Sequence, residues 1–212
     1  MMRTDELIAG LAADRRPKAQ PALRLALAMI GGILLAIVGL VVAFGSPLQP
    51  VAERGLAASS LKLIYPLLVA LFGAAAALAA GRPGDRPIRR LLPIGVALVV
   101  IGIIAAIEIS AASPADRAET VFGSTFGRCV AAVALASIPV FAGLTWAFRL
   151  LAPVRPALAG FIIGLTSGGA GAAAYALYCP ETTHAFLLGA YTPAMLIPAL
   201  IGAIAGDKLL RW

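Results

Sequence analysis

The sequence predicts an all-α polytopic membrane protein, a bundle of six transmembrane helices with a short N-terminal amphipathic cytoplasmic helix. Three observations carry this. Of the 212 residues, 61% are hydrophobic and 13% are charged, where a soluble domain has roughly 45–50% and about 25%. Mean hydropathy is +0.96. The apolar residues fall in long runs rich in Ala, Leu, Ile and Gly, long enough for the roughly 20 residues that one helical crossing needs. The runs do not alternate apolar with polar residues, which excludes a β-barrel. Six crossings leave no room for a soluble catalytic domain beside them.

The elements follow in chain order. Residues 1–22 are a polar cytoplasmic tail, and 23–212 form the transmembrane domain. The first apolar run continues from Leu23 to Phe44, too long for a signal-peptide core, so the tail is expected to be retained. The spans read as 23–44, 60–80, 91–111, 128–150, 156–178 and 185–206. Pro66, Pro93, Pro139, Pro193 and Pro198 fall inside them, which membrane helices tolerate where neighbouring groups satisfy the freed backbone. Ser167-Gly168-Gly169-Ala170-Gly171 in the fifth span reads as a surface for close helix packing. Glycine-rich spans also permit a homodimer.

Basic residues set the orientation, because short cytoplasmic loops collect Lys and Arg. One side holds 13: Arg3, Arg15, Arg16, Lys18, Arg24, Arg82, Arg86, Arg89, Arg90, Arg149, Arg155, Lys208 and Arg211. The other holds 4, Arg54, Lys62, Arg117 and Arg128, and the two groups account for all 17. Both termini are therefore placed in the cytoplasm. The net charge of +7 follows from topology and contact with membrane lipid, and direct nucleic-acid binding is not expected.

That topology puts the 2 cysteines, Cys129 and Cys179, at one face, where the fourth span enters and the fifth leaves. A disulfide can persist there if the face is periplasmic. Glu181, His184 and Glu108 fall near the same face. Thiolate, imidazole and carboxylate together suit a soft or borderline metal ion, and no obligatory cofactor is expected. Ordinary buried thiols are the competing reading of the cysteines. A membrane carboxylate such as Glu108 is costly as filler.

In the tail, Thr4 can cap a short helix whose first turn carries Asp5 and Glu6 at its positive end. Leu7, Ile8 and Leu11 share one face, and Asp14 closes the segment. About ten helical residues are marginal alone in water and become stable against a groove on a partner. A helix lying on the bilayer would carry Lys and Arg on its polar face, whereas this one carries acids. The loop from Gly81 to Arg90 reads as a topology determinant that contacts lipid phosphates, with an acidic partner as the second option.

Thr4-Asp5-x-Leu7-Ile8-x-x-Leu11-Ala12-x-Asp14, Cys129 and Cys179-Pro180-Glu181-Thr182 together resemble the NrsF-like proteins. These are six-helix inner-membrane anti-sigma factors that restrain an extracytoplasmic-function sigma factor of the sigma-F type. The resemblance spans the tail, the six spans and both cysteines. Many members carry a Trp-Tyr pair after the second cysteine, where this chain has Leu188-Gly189-Ala190-Tyr191-Thr192. The resemblance implies a regulator in the bacterial inner membrane and no catalytic residues. Thr4, Asp5, Leu7, Ile8, Leu11 and Asp14 would hold the sigma factor, and Cys129 and Cys179 would sense heavy metal or oxidant. Two other classes stand beside it. A small transporter or channel would need polar groups along a path, and the spans carry few. A membrane thiol oxidoreductase would want CxxC and a cofactor site, and neither is visible.

Overall fold

The computed structural model describes residues 21–47, 56–82, 84–151 and 153–210, with the side chains of 56–61 excepted. The helix expected over residues 4–14 lies outside the described residues. The elements are α1 (Pro21–Phe44), α2 (Leu56–Ala80), α3 (Pro87–Arg90), α4 (Leu92–Ala111), α5 (Arg117–Phe122), α6 (Phe126–Arg149), α7 (Pro156–Ala176), α8 (His184–Phe186), a π-helical turn (Leu187–Tyr191) and α9 (Thr192–Leu209). No strand occurs among the described residues. Among the described residues, six segments are long and apolar enough to cross a membrane: Pro21–Phe44, Lys62–Ala80, Pro87–Ala111, Arg117–Arg149, Pro156–Ala176 and His184–Leu209. They match the six runs read from the sequence to within a few residues, save that the fourth begins earlier, at α5.

The centre of the bundle is α7, packed against α9, α2 and α6, while α1 lies against α6. Small residues make this possible. A Cβ on Gly160 or Gly164 would meet the backbone of Gly202 or of Pro198 on α9, and one on Gly206 would meet Pro156. The Ser167–Gly171 run divides its glycines among three neighbours. Gly168 faces Met195 on α9, Gly169 faces Ala70 and Pro66 on α2, and Gly171 faces Ser137 and Val133 on α6. Without bulky side chains the backbones approach closely and dispersion contacts multiply, which is how helices associate where lipid removes the hydrophobic drive. The buried hydroxyls on these faces bond within their own helices: Thr166 to the Ile162 carbonyl at 2.7 Å, Ser167 to Gly164 at 2.8 Å and Ser137 to Ala134 at 2.7 Å. By contrast α4 turns Leu92, Val96, Val99, Ile103 and Ile107 outward, the surface that lipid would cover.

The sixth crossing departs from the continuous helix that the sequence suggests. It opens with the three residues of α8 and widens into the π turn before α9. Pro193, in the first turn of α9, has no N–H and its ring clashes with the carbonyl four residues back, at Gly189; a wide turn relieves both. The fourth crossing is likewise interrupted, at Gly123, whose φ of 53° suits glycine. A side chain at that position would also run into the Glu181 carboxylate.

Candidate functional site: a buried thiol pair

Cys129 lies in the first turn of α6, and Cys179 lies three residues beyond the end of α7. Both are buried, at 0% and 1% exposure, and they are not joined in a disulfide. Their sulfurs are 3.5 Å apart. Two residues 50 positions apart thus meet at one end of the bundle, opposite Arg82, Arg86, Arg149 and Arg155. Around the Cys129 sulfur stand the Thr125 hydroxyl at 3.4 Å and the Tyr175 hydroxyl at 3.5 Å. The bond to Cys129 and burial both push the Cys179 thiol up from its usual value.

The loop that carries Cys179 is pinned on several sides. Glu181 Oε1 accepts from the Ser124 N–H at 3.0 Å, the Ser124 hydroxyl at 3.1 Å and the Thr125 hydroxyl at 3.2 Å. A carboxylate there sits at the positive end of α6 and reaches Cys129 through Thr125. The Lys62 ammonium, on α2 and only 3% exposed, donates to the Cys179 carbonyl at 3.1 Å. From α1, Phe44 packs edge-on to Tyr175 at 5.7 Å, and the Tyr178 hydroxyl donates to the Gly45 carbonyl at 3.2 Å. Arg128 covers Phe44 at 5.2 Å. Tyr191 is buried edge-on against Phe186, with ring centroids 6.4 Å apart. Its hydroxyl interacts with Cys179 without meeting hydrogen-bond geometry.

The five candidate ligands do not form one constellation. Cys129, Cys179 and Glu181 share this corner, whereas Glu108 and His184 pair with each other. His184 Nδ1 is 2.7 Å from Glu108 Oε1, and the Ala185 N–H donates to Glu108 Oε2 at 2.9 Å. The reason is local. Thr183 caps α8 by accepting from the Phe186 N–H at 3.3 Å and donates to the Thr120 carbonyl at 3.0 Å, and with that cap in place His184 meets α4. Among the described residues, no three His, Cys, Asp or Glu side chains converge as a metal-binding group. The pair instead ties the lipid-facing α4 to the sixth crossing. Glu108→Ala should loosen that end by about 1 kcal/mol, read as roughly fivefold faster amide exchange at Ala185; unchanged exchange would mean the clasp is ornamental.

Sequence reasoning missed Lys62, Thr125, Tyr175 and Tyr191. Lys62 carried a usable signal, since a charge inside an apolar span marks a site by default. Tyr175 stands one helical turn before Cys179 and so shares its face. Thr125 likewise stands one turn before Cys129, but its bond to Glu181 crosses 56 positions and leaves no sequence signal.

A family model described as a negative regulator of sigma F matches residues 11–212. The chain belongs to the NrsF family. Two relatives within NrsF align over their whole length and the whole of this chain. One is the probable anti-sigma-F factor NrsF of Azospira oryzae, 36% identical over 224 residues. The other is the anti-sigma-F factor NrsF of Caulobacter vibrioides, 37% identical over 217 residues. No solved structure matches the chain.

Proposed function

We propose that this NrsF-family chain holds an extracytoplasmic-function sigma factor at the cytoplasmic face of a bacterial inner membrane and releases it when the periplasmic thiol pair is modified. The observation that carries the reading is the contact between two buried thiols 3.5 Å apart, at the end of the bundle opposite the arginines. By the positive-inside bias, that end is periplasmic. The family description supplies the sigma partner. Residues 4–14 supply the contact: an acidic amphipathic segment of the kind that gains stability only against a groove. Held there, the sigma factor is kept from RNA polymerase, and the chain itself touches no nucleic acid.

Two chemistries suit the pair. In the first, an external oxidant takes two electrons, the thiols lose two protons and a disulfide forms. The sulfurs must then close from 3.5 Å to about 2.05 Å. Cys129 is fixed in a helix, so the Cys179 loop moves, and with it the end of α7. In the second, a soft thiophilic metal ion binds both sulfurs; two thiols suit a low-coordinate soft ion better than tetrahedral zinc, which wants four ligands. Taking bound sigma factor from 99:1 to 1:99 needs about 5.5 kcal/mol. A two-electron thiol couple supplies that for a potential difference of roughly 120 mV.

The first test is capture of the sigma factor by the full-length chain and by a version lacking residues 1–14. Binding should fall at least a hundredfold on truncation. Equal binding by both versions would remove the tail from the mechanism, and no binding by the intact chain, reduced and metal-free, would end the anti-sigma reading.

A further inference from the structure

The end of the bundle opposite the thiols holds a cavity of about 400 Å³, between the α2–α3 turn and the start of α7. Its rim carries Arg82, Arg86, Arg89 and Arg155, and its floor includes Ala79, Leu158 and Ala159. No ion pair among the described residues engages any of these four guanidinium groups. The one carboxylate of the rim, Asp85, accepts from the backbone N–H of Arg86 at 2.8 Å. The cleft is thus basic around its edge and apolar at its base.

We infer that this cleft is a seat for the chain's own residues 4–14, which rests on the reading of that segment as the sigma-binding helix. The segment is complementary to both halves of the cleft. It carries Asp5, Glu6 and Asp14 and no base, and presents Leu7, Ile8 and Leu11 on one face. The tether fits as well. Leu25, one turn into α1, belongs to the same buried cluster as Ala159 of the cleft floor. The linker 15–20 reaches about 20 Å when extended. A tethered segment faces its seat at an effective concentration in the millimolar range, so a weak seat is well occupied.

The seat makes the tail a two-state element. Residues 4–14 lie either in the cleft or on the sigma factor, and each occupant excludes the other. The link to the thiols is a single helix. α7 lines the cleft at Leu158 and Ala159 and, in its last turn, sets Tyr175 against Cys129. A shift of α7 at its cysteine end therefore changes the cleft at its arginine end.

The test compares the parent protein with Arg82→Gln/Arg86→Gln/Arg89→Gln, and with the corresponding triple lysine variant, in nanodiscs of phosphatidylcholine alone. Amide exchange over residues 4–14 is measured without sigma factor, and sigma-factor affinity is measured separately. Exchange should be slowed at least threefold in the parent and the lysine variant and lose that protection in the glutamine variant. Sigma affinity should rise about threefold to tenfold in the glutamine variant, because a binding-competent tail is no longer withheld. Equal exchange in all three proteins would overturn the seat. Weaker sigma binding by the glutamine variant would overturn it too, making the cleft part of the sigma interface. A parent protein that shows no protection, and retains phosphatidylglycerol that the glutamine variant loses, would overturn the seat and assign the cleft to a lipid headgroup. The exchange arm needs no sigma factor, so it reads the seat even if the anti-sigma reading fails.

Discussion

Gly164→Leu is expected to unfold the bundle, with a loss of more than about 3 kcal/mol. A Cβ at Gly164 already lands on the Pro198 carbonyl and the Ala199 backbone. No rotamer relieves a clash with backbone, so α7 and α9 must separate, and their shared packing is lost along its length. Gly31→Leu is the matched control, because a Cβ there meets nothing within 4 Å; leucine has the better helix propensity and should cost at most about 0.5 kcal/mol. Thermal unfolding of both variants in one detergent reads the difference. Equal stability would mean that the helices pack less tightly than described.

The second large effect concerns signalling and leaves folding intact. Cys129→Ser and Cys179→Ser should each abolish the response to oxidant or soft metal while sigma binding survives. Serine keeps the size and a donor for Thr125 and Tyr175, so the corner should remain filled. It cannot form a disulfide and is a poor ligand for a soft ion. Mild oxidation of the parent should join Cys129 to Cys179 within one chain, as peptide mapping after proteolysis would show. A normal response in both single mutants, or a disulfide formed only between chains, would refute the intramolecular switch.

Much of the architecture was legible because the bilayer writes in long words. A crossing needs about 20 apolar residues, and charge bias orders the loops. The cysteine contact was legible to the level of a shared face, since the fourth crossing enters where the fifth leaves. The residues that tune the contact were harder to read. Thr125 and Glu181 meet across 56 positions, and Lys62 reaches Cys179 across 117. Such distances leave no periodic trace in one sequence. The grouping of His184 with the thiols went astray for a similar reason, because Thr183 caps α8 and Glu108 of α4 takes His184. The π turn escaped notice because a proline near a helix start usually signals an ordinary first turn, and Pro193 instead follows an earlier start.

The exposure of the two sulfurs, 0% and 1%, has a kinetic meaning. Thiol–disulfide exchange requires the attacking sulfur to approach along the axis of the bond it breaks, and its rate depends on access. A protein disulfide or an oxidised thiol carrier is too bulky to enter this corner. In a compartment whose catalysts oxidise exposed dithiols, burial acts as a size filter. Under the proposed switch, small oxidants and bare metal ions would pass it when the Cys179 loop opens, and the bulk oxidative folding machinery would not. In the switch proposed above, the bonds that Lys62 and Glu181 make to this corner would govern how often the filter opens, and so the dose that it takes to reach the thiols.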